Sequence, residues 1–346
     1  MSSVETVGLT SQDLYAPSIA PNMARLLVVV GPTGAGKSGL ALQLAHAFHG
    51  EIVNCDSVQV YRGLEIGSAK LPPRERRGIP HHLIDVIDAH DDLTAGAYAS
   101  LARDVLCHLK ARGVVPIVVG GTGFYLRALL AGLSPAPARD SRLRNRLAVL
   151  AARHPAVLHR FLRRHDPASA ARIHRNDHQK LMRAIELTRL AGQPASRMQG
   201  FPRQRLEGFR VLQIGLNPPR RLLREALDAR SAEMFRAGLI EETRALLESG
   251  VDARAKSLQS LGYKQALEFL SGRLSLADAV RQCQARTRQY AKRQMTWFRA
   301  DPTIRWLSGF GSDTEIQRDA LAIAGDFLMA EENKKPLEEF SRASPK

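Results

Sequence analysis

Residues Gly31, Pro32, Thr33, Gly34, Ala35, Gly36, Lys37 and Ser38 spell G-x-x-x-x-G-K-[ST] without a gap. The octet directly follows the apolar run Leu26-Leu-Val-Val-Val30 and opens a stretch of helical spacing over 37–49. That context is what the chemistry requires. Glycines let backbone N–H groups converge on an anion, and the helix start adds partial positive charge. Lys37 supplies a full charge, and Ser38 is placed to reach a bound Mg²⁺. An ordinary Gly-rich strand–helix turn is the alternative. The eight matched positions favour a site for a di- or triphosphate.

The rest of the chain fits a parallel sheet around this loop. Further buried strands are expected at 51–54 and 114–119, with helices over 97–112 and 124–131 between and after them. A Pro-rich break at 133–138 precedes about 60 residues of helical, Arg- and Ala-rich sequence. A last core strand is expected at 211–216, followed by helices over 219–237, 239–249, 261–271 and 276–299. The fold class is therefore α/β: a P-loop NTPase-like parallel sheet flanked by helices, with an inserted all-helical domain. The expected division is a flexible tail 1–22, a catalytic core 23–138 and 209–310, a basic insertion 139–208, and a C-terminal segment 311–346. That segment holds a helix and a disordered tail.

Charge sharpens the division. Lys and Arg number 50 against 34 Asp and Glu, a formal net charge of +16. Residues 1–138 are neutral, whereas 139–210 carry 17 basic and 5 acidic side chains. Such an excess speaks of partners, not of fold, and a polyanion meeting the insertion is the natural expectation. A solvated helical surface in an Arg-rich chain is the plainer alternative. No apolar run approaches the ~20 residues of a membrane span, and no secretory leader is visible. The three cysteines, Cys55, Cys107 and Cys283, form neither a disulfide framework nor a zinc motif. A soluble cytoplasmic protein with no membrane partner is expected.

What the bound phosphate undergoes is a separate question. P-loop hydrolases and kinases hold their metal with an Asp at the end of an apolar strand. Here the strand 114–119 runs into Gly120-Gly-Thr-Gly123, without a carboxylate. The acid at a strand end is instead Asp56. This arrangement suits a loop that holds a leaving group.

Six stretches together resemble the bacterial tRNA dimethylallyltransferase (tRNA isopentenyltransferase) family. They are the P-loop; Asp56-Ser-Val-Gln-Val-Tyr61 running on to Gly67-Ser-Ala-Lys70; Gly120-Gly-Thr-Gly-Phe-Tyr125; Asp177-His-Gln-Lys-Leu-Met-Arg183-Ala-Ile-Glu186; Leu261-Gly-Tyr-Lys264; and Arg286-Thr-Arg-Gln-Tyr-Ala-Lys-Arg-Gln-Met-Thr-Trp297. Their order covers about 25–308. The resemblance implies transfer of a dimethylallyl group from its diphosphate to the exocyclic N6 amine of the adenosine 3′-adjacent to the tRNA anticodon, with release of diphosphate. It implies Mg²⁺ at Ser38, with dimethylallyl diphosphate and a tRNA anticodon stem-loop as partners; nothing in the sequence demands more than a monomer.

Residue roles carry over in the same way. Asp56 matches the general base, with capping of the following segment as its alternative role. Thr33 matches a threonine that contacts the diphosphate or assists catalysis, with loop packing as its alternative, and Arg230 a helix arginine that clamps the diphosphate in the catalytic site. The tRNA contacts fall on Asp56, Ser57, Val58, Gln59, Thr122, Arg144, Gln179, Lys180, Leu181, Met182, Arg183, Gln259, Ser260, Leu261, Gly262, Tyr263 and Lys264. Thr122 also suits a helix N-cap, and Tyr263 either a stacking platform or half-buried packing. Trp297 and Phe298 are expected in the core. The basic strip Arg281, Arg286, Arg288, Lys292, Arg293 and Arg299 adds a second cationic surface.

Three positions depart from the family pattern: His178 where proline is frequent, Gln259 where arginine is frequent, and Ala226-Leu227 where Arg-Ile is frequent. They weaken single contacts. Two other readings are weighed: an adenylate (AMP/ADP) isopentenyltransferase, for which the basic insertion has no use, and a small-molecule P-loop kinase, which lacks its strand-end Asp.

Overall fold

The computed structural model describes residues 23–134, 137, 139–154, 156–200 and 204–330; the expected tail 1–22 and the last 16 residues lie outside them. In chain order the elements begin with β1 (Ala24–Val30), α1 (Lys37–Ala47), β2 (Glu51–Asn54), β3 (His81–His82), α2 (Ala95–Ala111) and β4 (Pro116–Val119). Helices α3 (Gly123–Ala131), α4 (Ser141–Arg153), α5 (Val157–His165), α6 (Pro167–Arg172) and α7 (His178–Ala191) follow. The chain then forms β5 (Phe209–Leu216), α8 (Arg220–Arg236), α9 (Leu239–Glu248), α10 (Tyr263–Leu270), α11 (Leu276–Arg299), β6 (Ile304–Leu307) and α12 (Thr314–Met329).

The six strands form one parallel sheet in the order β3-β2-β4-β1-β5-β6. β1 lies inside it, between β4 and β5, so both its edges are paired, and Leu26 to Val29, which alternate between its two faces, are fully buried. An unbroken apolar strand is what that position demands. Leu27, Val29, Ile117 and Ile214 of the sheet pack with Leu40 and Leu44 of α1 and Ala320 and Ala324 of α12. Pro116 opens β4, the strand position that tolerates a missing N–H.

Two strands escaped the sequence reading. β3 has two residues, too few for any periodicity, and β6 follows the strand expected to be last. β6 has no apolar run of its own; residues 304–307 are Ile-Arg-Trp-Leu, paired to β5 along one edge only.

The chain separates into two compact units. Among the described residues, one comprises 23–91, 105–121 and 207–330 and contains the sheet; the other comprises 92–104 and the described part of 122–206. The second is helical among its described residues, built on Leu147, Leu158, Leu162, Leu181 and Ile185. Over 139–206 the four acids are all structural. Asp140, Asp166 and Asp177 accept the N–H groups of Leu143, Ser169 and Lys180 at 3.0, 3.1 and 3.2 Å, capping α4, α6 and α7. Glu186 is fully buried and accepts from Arg183 at 2.7 Å, Arg144 at 3.4 Å and the Asp140 N–H at 2.7 Å. With these carboxylates committed to caps and to the buried Glu186 cluster, the described surface of 139–206 is dominated by basic side chains.

Candidate active site

The carboxyl ends of β1, β2 and β4 carry the loops that meet around one cavity of about 240 Å³. This is where parallel α/β sheets place their ligands. Thr33, Gly34, Gly36, Lys37 and Ser38 line it, together with Asp56, Gln59 and Arg230. Ile52, Leu71, Ile84 and Val119 give it an apolar part. Gly31, Pro32 and Ala35 support the loop from behind: Ala35 N–H donates to Pro32 O at 3.3 Å, and Ala35 O accepts from Gly311 N–H at 2.8 Å. Gly36 sits at φ 82° against the Gly311 backbone, so an added Cβ there would be strained and 2.9 Å from Gly311 N.

Charge in the cavity is concentrated. Lys37 Nζ donates to Pro32 O at 2.8 Å. Burial pushes its ammonium down to about 8; the Asp56 carboxylate opposes that shift and Arg230 adds to it. Burial likewise lowers Arg230, again opposed by Asp56. Two cations that interact with one carboxylate and crowd each other are poised for a polyanion, which would relieve both. Arg230 is thus a cavity residue and not a solvated helix arginine.

Asp56 caps the segment that follows it and also faces the cavity. Its Oδ1 accepts from Val58 N–H at 2.8 Å and Gln59 N–H at 3.4 Å, capping the turn, and the residue also lines the cavity. Asn54 holds it from behind: Asn54 Oδ1 accepts the Asp56 N–H at 3.2 Å, and Asn54 Nδ2 donates to Leu83 O at 2.9 Å. Gln59 Nε2 donates to Ser68 O at 3.2 Å and Ala69 O at 3.4 Å, closing the loop over the cavity wall. Ser57 and Val58, half-buried, do not line the cavity.

The donor set suits a hard cation held mainly by its substrate. Ser38 lines the cavity and could offer its hydroxyl as one hard oxygen donor to such a cation. Among the described residues the one three-residue grouping of metal-ligand type, Asp88, His90 and Asp91, is exposed and does not line the cavity.

The remaining expected RNA contacts divide. In the helical unit, Thr122 stands at the start of α3, its carbonyl accepting from Tyr125 N–H at 2.9 Å. Arg144 bridges to Gln179 Oε1 at 3.2 Å, Lys180 is exposed beside Asp177 at 2.7 Å, and Arg183 also donates to Pro137 O at 3.1 Å. The side chains of Leu181 and Met182 are corrected to core residues: α7 turns them inward, into the apolar cluster of that unit. In the sheet unit, Gln259 and Lys264 are exposed and Ser260 and Leu261 half-buried; Gly262 N–H donates to Gln265 Oε1 at 3.0 Å.

Tyr263 is no stacking platform here. It is fully buried, and its hydroxyl donates to Glu242 Oε1 at 2.5 Å. Burial, then the Glu242 charge, drives that hydroxyl far above the usual tyrosine range. Phe298 is core as expected, but Trp297 is 43% exposed, because α11 turns it away from the face that buries Gln294 and Phe298. On the same helix Arg281 and Arg288 pair with Asp278 and Asp228, while Arg286, Lys292, Arg293 and Arg299 are exposed.

Several site residues were passed over in the sequence. His81 lines the cavity with its Nδ1 held 2.7 Å from Ile79 O; burial chiefly lowers its pKa. Glu242 accepts the N–H groups of Glu65 and Ile66 at 3.1 and 2.9 Å, anchoring the loop that follows Tyr61. Gln294 lies inside the stretch that carried the resemblance, but nothing in its spacing signalled a bond to the P-loop.

Comparison with known proteins bears on the family and the fold. The family model described as IPP transferase matches residues 59–301. A tRNA dimethylallyltransferase of Solibacter usitatus is 53% identical over 303 residues, covering 88% of this chain and 99% of that one. Another, of Koribacter versatilis, is 51% identical over 86% of this chain and 97% of its own. The crystal structure of a tRNA isopentenylpyrophosphate transferase from Bacillus halodurans superposes with a TM-score of 0.65 at 33% identity, covering 88% of this chain and 96% of that one. A eukaryotic dimethylallyltransferase acting on tRNA gives 0.75 at 30% identity, over 88% and 79%. The chain belongs to the IPP transferase family, that of the tRNA dimethylallyltransferases.

Proposed function

We propose that the protein transfers a dimethylallyl group from dimethylallyl diphosphate to N6 of the adenosine 3′-adjacent to the tRNA anticodon. The observation that carries this is the single cavity in which a P-loop, Asp56 and Arg230 meet beside apolar side chains. N6 attacks C1 of the dimethylallyl group, the C1–O bond breaks, and diphosphate departs with the electron pair. Lys37, Arg230 and the loop N–H groups stabilise the charge that grows on the leaving group. Asp56 takes the proton from N6. A bound Mg²⁺, held at Ser38, would add charge neutralisation on the diphosphate.

The target base must leave its stacked loop to reach such a cavity. The arginines of α4 to α7 suit the phosphates of the anticodon stem, where they set affinity and salt dependence. Among the described residues no helix is long and apolar enough to cross a membrane. A cytoplasmic monomer acting on free tRNA accords with these features.

Incubation of the full chain with radiolabelled dimethylallyl diphosphate, Mg²⁺ and unmodified tRNA tests the reading. Label transferred to tRNA adenosine is expected. Transfer to AMP but not to tRNA, or ADP release from ATP without prenylation, would overturn it.

A further inference from the structure

Gln294 is one of the few polar side chains buried in the sheet unit, at 5% exposure, and both ends of its amide are committed. Its Oε1 accepts the Thr33 N–H at 2.8 Å, and its Nε2 donates to Gly121 O at 2.9 Å. The partners fix the orientation of the amide, since only the oxygen can meet an N–H and only the nitrogen a carbonyl. The contact is close: a Cβ on Gly121 would lie 2.2 Å from Nε2. One residue before, Gly120 packs on the Cys55 carbonyl so tightly that a Cβ would lie 2.1 Å from it, and Cys55 N–H donates to Val119 O at 2.7 Å.

A chain of contacts therefore runs from the P-loop through Gln294 to the turn after β4. From there it passes to Cys55, the residue that precedes Asp56. Gln294 is the side chain that hydrogen-bonds both Thr33 and the turn after β4; the sheet and the charge interaction between Asp56 and Lys37 also relate the P-loop to the strand end bearing Asp56. Transfer requires the leaving group on one and the proton acceptor on the other to be in register within a fraction of an ångström. We infer that Gln294 is a positioning residue for group transfer, setting the P-loop at Thr33 against the Asp56 turn without touching substrate. The inference rests on the proposed prenyl transfer.

Two substitutions in the full chain test it. Gln294→Met keeps the volume and removes both bonds. At saturating donor and tRNA its kcat should fall about 10- to 100-fold, with the donor KM changed less than about threefold. Gln294→Glu keeps the acceptor for Thr33, but donates to Gly121 O only when protonated. Its kcat should therefore fall as pH rises through the titration of the new carboxyl, a limb absent from the wild-type profile. Hydrogen exchange gives a readout independent of turnover: the Thr33 amide should exchange faster in Gln294→Met than in the wild type.

A kcat for Gln294→Met within about twofold of wild type would overturn the inference, as would a loss confined to KM. If Gln294→Met does not fold, Gln294→Glu decides, and a profile parallel to the wild type would overturn the inference. A wild-type enzyme that transfers nothing defeats the proposed prenyl transfer instead. Unchanged Thr33 exchange in the variant then defeats the positioning role on its own.

Discussion

Lys37 Nζ donates to the carbonyl of Pro32, five residues earlier in the same loop, at 2.8 Å. The P-loop cation is thus folded back onto its own backbone and must turn from Pro32 to meet a diphosphate. Its ammonium, lowered by burial to about 8, loses its proton as pH rises through that value. Anion binding needs the charged form, so affinity for inorganic diphosphate should be full below about pH 7 and fall above pH 8, by up to about tenfold per unit. Calorimetric titration against pH checks this. Lys37→Met should bind weakly and lose the part of the pH dependence that the lysine supplies.

Asp56→Asn separates the two tasks of Asp56. Asparagine keeps an oxygen for the Val58 N–H, now at 2.8 Å, so the turn survives. It cannot accept the proton from N6. Single-turnover transfer should slow about 10²- to 10⁴-fold while tRNA affinity stays near wild type. Loss of tRNA binding with an unchanged chemical step would assign the residue to recognition.

Tyr263→Phe removes the donor to Glu242 and leaves a half-buried carboxylate with its backbone partners alone. Urea unfolding should show a loss of about 1–3 kcal/mol. Because the ring is buried, filter binding should show tRNA affinity little altered. Weaker tRNA binding at unchanged stability would instead restore a stacking role.

Glu186→Ala should be among the costliest changes in the helical unit. It strips the partner from Arg144, Arg183 and the Asp140 N–H at once, a loss of about 3–5 kcal/mol if buried pairs elsewhere are a guide. Arg144→Ala should combine a smaller loss of stability with a tRNA salt slope reduced by about one. Unfolding and salt-dependent binding, measured on the same samples, check both.

The parts of the fold legible in the sequence are those written in local pattern. The P-loop declares itself by spacing, β1 by its unbroken apolar run, and α11 by ends that match to the residue, 276–299. What stayed hidden depends on partners distant in sequence. β3 is defined only by its pairing with Ile52 and Val53, and β6 only by its pairing with β5. Tyr263 and Leu181 sit in stretches that suggest RNA contact, yet tertiary packing takes their side chains inward. Gln294 meets Thr33 across 261 positions, a relation no window of sequence contains. Several residues that line the cavity were therefore readable, whereas the distant partner of the P-loop backbone was not.

Prenylation of tRNA leaves a modified nucleoside that can be counted in the cell. Total tRNA from cells lacking the gene, digested to nucleosides and analysed by mass spectrometry, tests it most directly. N6-dimethylallyladenosine and its derivatives should be absent, and should return with the wild-type gene but not with Asp56→Asn. Undiminished dimethylallyl-adenosine in the deletion strain, with no second gene of the family present, would contradict the account.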